Sequence, residues 1–211
     1  MAFPNVQDPQ APSLPKPPVS LEAFLAWCDE DIHAEWVDEK VLIMSPASQI
    51  HQQLVVFLTV VLKFFTEEYG LGTVLNAPFS MRLGSVQSVR EPDLLFVSTR
   101  HLDRLQETYL DGPADLAVEI VSKGSIGRDR GDKFVEYEQA GIPEYWLIDP
   151  ERQQAEFYGL EADGRYHPMP LEGGVFRSAV LSGFWLRVDW LWADPLPKGL
   201  DVIRELGVLE G

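Results

Sequence analysis

One cysteine in 211 residues leaves no disulfide framework and no cysteine-built zinc site. No run of about 18 consecutive apolar residues is present, so no transmembrane helix is expected. The first eighteen residues, MAFPNVQDPQAPSLPKPP, lack the basic start and apolar stretch of a signal peptide. The expected compartment is the cytoplasm, with no membrane. Histidine is scarce, and His33, His51, His101 and His167 fall at no metal-cluster spacing. There is no GxxxxGK[ST] phosphate loop, no GxGxxG, no GxSxG elbow and no HExxH. Positive charge is also short, with 17 Lys+Arg against 33 Asp+Glu and a formal net of −16. Such a chain is repelled on average by nucleic acid and by anionic membranes.

The average hides a contrast. From Arg82 to Lys133 eight basic residues stand against nine acidic ones, a net of −1, while the remainder carries −15. An anionic partner, if one binds, belongs on this middle segment. Hydrophobic residues make up 45% of the chain and aromatics 11%, enough for a sizeable core in one domain.

Six of the sixteen prolines lie in residues 1–18. Residues 1–19 therefore read as an extended or disordered arm, 20–195 as the folded domain, and 196–211 as a C-terminal tail. Ser20 reads as the cap of a first helix carrying Leu21, Phe24, Leu25 and Cys28 on one face. A strand pair through 34–36 and 40–44 turns at Asp38-Glu39. Ser48 caps a long helix over 49–69, stopped by Gly70. Strands follow at 72–76, 79–83 and 93–97, with a helical turn near 100–106. Strand 115–121, helix 129–140 and strand 144–149 read as a β-α-β unit, and 153–192 as mostly β. The expected class is α/β (α+β), a mixed sheet flanked by helices, with extra C-terminal strands.

Two carboxylates sit oddly. Asp93 opens a strand in REPDLLFV, and Glu119 lies inside the apolar run LAVEIV. A carboxylate in such a run is costly unless paired or metal-bound. Lys133 follows on the helix RDRGDKFVEYEQAG. Two strand carboxylates with a nearby lysine make a hard, oxygen-rich site suited to Mg²⁺ or Mn²⁺ and phosphate. The plainer alternative is an ion pair of Glu119 with Lys133 or an arginine. Asp129, four residues before Lys133, is a second local partner. Arg128 and Arg130 are candidate phosphate contacts or solvated helix-start residues. Tyr137 reads as core.

PDLLFV followed by AVEIVSKGSIGRDRGDKFVEYEQAGIPEYWLIDP resembles the Uma-two family of restriction-type endonucleases, within the PD-(D/E)XK nuclease superfamily. EWVDEKVLIMSP, His51 at a helix start and the ending SGFWLRVDWLW extend the resemblance over roughly 20–195. It implies a restriction-endonuclease-like fold and a metal-dependent endonuclease acting on DNA. By the same resemblance Asp93 and Glu119 are the acidic metal ligands and the Ile120 carbonyl a backbone ligand. Lys133 is the lysine on the following helix, Glu35 the acid that completes the site, and His51 the helix-start histidine. Val121 stands where the superfamily's usual lysine would be, and Lys123 replaces a proline common in the family. Lys123 thus competes with Lys133 for the lysine role. Restriction-type folds often dimerise, so a homodimer or higher homo-oligomer is expected. The other readings are a nuclease-fold protein that binds DNA or scaffolds without cutting, and an enzyme hydrolysing a smaller phosphate ester.

Overall fold

The computed structural model describes residues 14–28, 32–44, 46–122 and 125–209. Helix α1 (Leu21–Trp27) starts where Ser20 Oγ accepts the Ala23 N–H at 3.2 Å. Strands β1 (Ala34–Val37) and β2 (Lys40–Ile43) form a hairpin through Asp38 and Glu39. Both turn residues have positive φ, 47° and 59°, as a two-residue turn between right-twisted strands requires. Helix α2 (Gln49–Glu68) is capped by Ser48, whose Oγ accepts the His51 N–H at 3.3 Å.

The strands that follow are β3 (Gly72–Asn76), β4 (Ser80–Leu83), β5 (Ser88–Arg90), β6 (Leu94–Ser98), β7 (Tyr109–Asp111) and β8 (Leu116–Ile120). Arg128–Asp132 forms a π-helical turn that runs into α3 (Lys133–Ala140). The helix expected over 129–140 is therefore two pieces, and such widened turns often occur at functional sites. Gly141, at φ 82°, ends α3 in the left-handed conformation that glycine adopts without a Cβ clash. Beyond it come β9 (Glu144–Asp149), β10 (Gln154–Leu160), β11 (Tyr166–Pro168), β12 (Val175–Arg177), β13 (Trp185–Arg187) and α4 (Gly199–Glu205).

The central sheet has the order β11-β10-β9-β8-β6-β3. Its β8 and β9 are parallel, joined through α3, so the β-α-β unit is present as expected; the other pairings are antiparallel. Alternation along β8 sends Leu116, Val118 and Ile120 to the α2 side, against Leu54, Leu58, Val61 and Phe65. Ala117 and Val121 go to the α3 side with Tyr137, Tyr145 and Leu147. Glu119 shares that parity, which aims it at α3. By length and composition α2 could cross a membrane. Here its buried stripe belongs to the protein's own core, where each large side chain contributes about 1.5–3 kcal/mol.

A second sheet, β2-β1-β5-β4-β7, lies beside the first, and β12–β13 form a separate hairpin. The short strands β5 and β7, three residues each, are too brief to show a period in sequence. Two boundaries need correction. Residues past 195, read as a tail, form α4 and bury Val202, Ile203, Leu206 and Val208 in the α2 core. The arm ends earlier than residue 19. Val19 is buried, donates its N–H to the Glu39 carbonyl, and accepts Trp36 Nε1–H at 2.7 Å.

Candidate active site

Asp93 stands just before β6, and Glu119 near the end of β8. The pairing Leu94↔Val118 continued by one residue sets the two carboxylates opposite each other. Asp93 Oδ2 accepts the Ile120 N–H at 2.6 Å, and Asp93 Oδ1 lies 3.1 Å from His51 Nε2. Strand pairing and the N-terminus of α2 thus fix Asp93 from two sides.

Lys133 is 1% exposed. Its Nζ lies 2.9 Å from Glu119 Oε1, 3.1 Å from Glu35 Oε1 and 3.7 Å from Asp129 Oδ1. Tyr137, one turn on, donates its hydroxyl to the same Glu119 oxygen at 2.8 Å. Residues 129, 133 and 137 are spaced by four, which puts them on one side of the helix. Glu35, on β1, is fully buried and also pairs with Arg90 Nη1 at 2.9 Å. Arg90 is completed by a two-pronged contact to Glu136, at 2.6 and 2.8 Å. The result is a continuous chain of charge, Glu136–Arg90–Glu35–Lys133–Glu119.

The charges do not balance. Burial pushes the Lys133 ammonium down, but Glu119, Glu35 and Asp129 outweigh it and hold the group protonated well above its ordinary value. Burial likewise pushes the Glu35 carboxyl up, yet Lys133 and Arg90 bring it below the usual carboxylate range. Glu119 is the group left short. Burial raises it well above the ordinary value, Lys133 opposes, and Asp129, Asp93 and Glu35 raise it further. One ammonium shared by three carboxylates cannot compensate them all, so both partners of the Lys133–Glu119 pair titrate upward. Burial raises Asp129 as well. Glu91, beside Glu35, is pushed up to about 7, first by burial and then by Glu35. His51 is disfavoured as a cation by burial, but its contact with Asp93 raises it overall.

His51, Glu91, Asp93, Glu119, Arg128, Asp129 and Lys133 line a cavity of about 400 Å³, and Glu35 meets it only through Lys133. Arg128 Nε is buried there with no hydrogen-bond partner, and so is Asp129 Oδ1. Ile120 also lines the cavity, its N–H committed to Asp93. Among the described residues no three His, Cys, Asp or Glu side chains converge as a ready-made metal cage. The donor set fits a hard divalent cation of the Mg²⁺ type, which takes one or two carboxylates and keeps several waters. Surplus carboxylate, with Asp129 Oδ1 held only by the shared Lys133 ammonium at 3.7 Å, is what such a charge would relieve.

Asp93, Glu119, Ile120, Lys133, Glu35, His51 and Arg128 are therefore brought together. Arg130 is not; its guanidinium pairs with Glu156 on β10 and with Asp149 at 3.5 Å. As a phosphate contact it is corrected to a structural ion pair, because it lies off the cavity's lining and is engaged by Glu156 and Asp149. Lys123 lies outside the described residues. The residues sequence reasoning missed are Arg90 and Glu91, and Tyr137 it placed in the core without its bond to Glu119. Their signal was faint, a charged pair before Pro92 and a four-residue spacing from Lys133.

A family model described as "Putative restriction endonuclease", Uma2, matches residues 21–189. Among solved structures, the chain is similar to the crystal structure of a "putative nuclease belonging to DUF820" from Anabaena variabilis. The TM-score is 0.69 at 15% identity, covering 83% of this chain and 98% of that one. That likeness speaks for the fold. No curated protein matches.

Proposed function

From the chain's membership of the Uma2 family, we propose a metal-dependent endonuclease that hydrolyses phosphodiester bonds in DNA. Nuclease function is what the family match supports; the metal and the DNA substrate are the finer part of the reading. The observation that carries it is the opposed pair Asp93–Glu119, with a buried, charged Lys133 at 2.9 Å from Glu119, lining one cavity.

Asp93 and Glu119 would hold Mg²⁺ or Mn²⁺, with the Ile120 carbonyl as a backbone ligand. When bound, such an ion supplies Lewis acidity towards a phosphoryl oxygen and acidifies water. The chain's own groups do the rest. Lys133, kept protonated by its three carboxylates, offers fixed positive charge to the negative charge that grows on a phosphate in the transition state. Arg128 offers its unpaired Nε–H to a phosphate oxygen. His51 and the Ile120 N–H orient Asp93. Glu35 acts through Lys133 and Arg90, fixing where the ammonium sits. A cytoplasmic homodimer goes with this reading, two copies serving two strands.

The net charge of −16 favours a second reading, a nuclease-fold protein that binds or scaffolds without cutting. Incubation with Mn²⁺ or Mg²⁺ and plasmid, linear duplex, single-stranded DNA or RNA separates the two. Metal-dependent cleavage of DNA is expected. Metal-bound protein that retards DNA without cutting it supports the second reading, and activity on small phosphate esters alone overturns both.

A further inference from the structure

A second cavity, of about 320 Å³, lies against the first. It is built from one face of the second sheet. Pairing of Met81 with Arg90 in β4–β5, and of Ser80 with Tyr109 in β4–β7, sets Ser80, Arg82, Glu91 and Tyr109 side by side on that face. Helix α1 contributes Phe24 and Leu25 to the lining, and Phe79 joins them. Glu91 lines both cavities, so it forms their common wall.

Three features describe what this cavity takes. The Arg82 guanidinium lies over the Tyr109 ring, 3.2 Å from its centroid, which makes a preformed flat, polarisable surface. Arg82 Nε is buried without a hydrogen-bond partner, a donor waiting for an acceptor. Polar groups for an in-plane edge are present in Glu91 and Ser80, whose own contact is a long 3.5 Å. A flat apolar body with hydrogen-bonding edges, small enough for this volume, is an aromatic heterocycle. We propose that the cavity receives a single nucleobase, unstacked from the strand whose phosphate lies in the neighbouring catalytic cavity. Aromatic and guanidinium planes are the usual platform for such a base. The proposal rests on the nuclease reading for its substrate, and it gives that site a preference for single-stranded or locally opened nucleic acid.

The test uses the full chain and small probes. The four nucleoside 5′-monophosphates and ribose 5-phosphate are titrated by saturation-transfer NMR. All carry the same phosphate, so the difference between them isolates the base. Wild type is expected to bind at least one nucleotide about tenfold more tightly than ribose 5-phosphate, the scale of losing one stacked base. Tyr109→Ala should erase that preference and leave ribose 5-phosphate binding unchanged, while Tyr109→Phe keeps it. Equal affinity of wild type for ribose 5-phosphate and every nucleotide overturns the proposal, with no variant needed. So does a preference that survives in a folded Tyr109→Ala. If oligonucleotides are cleaved but no nucleotide preference exists, the base pocket falls and the nuclease reading stands. If the preference exists but nothing is cleaved, the pocket stands and cleavage falls.

Discussion

Lys133 Nζ and Glu119 Oε1 meet at 2.9 Å, across the gap between the second helical turn after β8 and the strand itself. The pair is buried and shared, since the same ammonium serves Glu35 and Asp129. Removing the lysine should therefore do two separable things. Lys133→Met should lower cleavage by roughly two to four orders of magnitude, the range for losing one electrostatic group. It should also destabilise the fold by about 3–5 kcal/mol at neutral pH, because buried carboxylates lose their counter-charge. Lys123→Met should cost far less in rate. Cleavage at saturating Mn²⁺ and urea melts on both variants check this.

Glu91 gives a pH prediction. Its folded value, about 7, lies above the ordinary 4.5. A carboxyl raised by folding contributes stability below the unfolded value and loses it as pH climbs through the folded one. Metal-free wild type should lose up to about 3 kcal/mol from this group between pH 4.5 and 7. Glu91→Gln should flatten that part of the profile. Denaturant midpoints at pH 5 and pH 8 decide it; an unchanged slope in the variant would show that Glu91 is ionised throughout.

Tyr137→Phe keeps the ring packed against Tyr145 and deletes only the bond to Glu119. Glu119 Oε1 keeps the Lys133 ammonium in that variant, so losing the tyrosine donor should cost about 0.5–1.5 kcal/mol. Thermal unfolding measures the loss, and Tyr137→Leu serves as the comparison that also disturbs packing.

Arg128 and Arg130 are two residues apart and should behave oppositely. Arg128→Ala should reduce the salt slope of DNA binding by about 1, since its guanidinium faces the cavity. Arg130→Ala should leave the slope alone and lower stability modestly, because Glu156 keeps Tyr158 and Asp149 keeps Arg152 as partners. Binding isotherms at several salt concentrations distinguish them.

The legible parts of this protein were those set by local rules. Ser20 and Ser48 as caps, the Asp38-Glu39 turn and the β-α-β unit follow from short-range preferences and period. Asp93, Glu119 and Lys133 stood out because charge inside or beside an apolar run demands compensation. Arg90 was not legible, because its partners Glu35 and Glu136 are 55 and 46 residues away and only the second sheet brings them in. The α4 segment was missed for the same reason. Its apolar residues gain meaning only against α2.

The proposed cation site of Asp93 and Glu119 is tested by calorimetric titration of Mn²⁺ into wild type and Asp93→Ala. Wild type should bind Mn²⁺ and bind Mg²⁺ more weakly, by the usual affinity order. Asp93→Ala should lose Mn²⁺ binding while its thermal melt shows an intact fold. Unchanged Mn²⁺ affinity in that folded variant would show that Asp93 holds no cation.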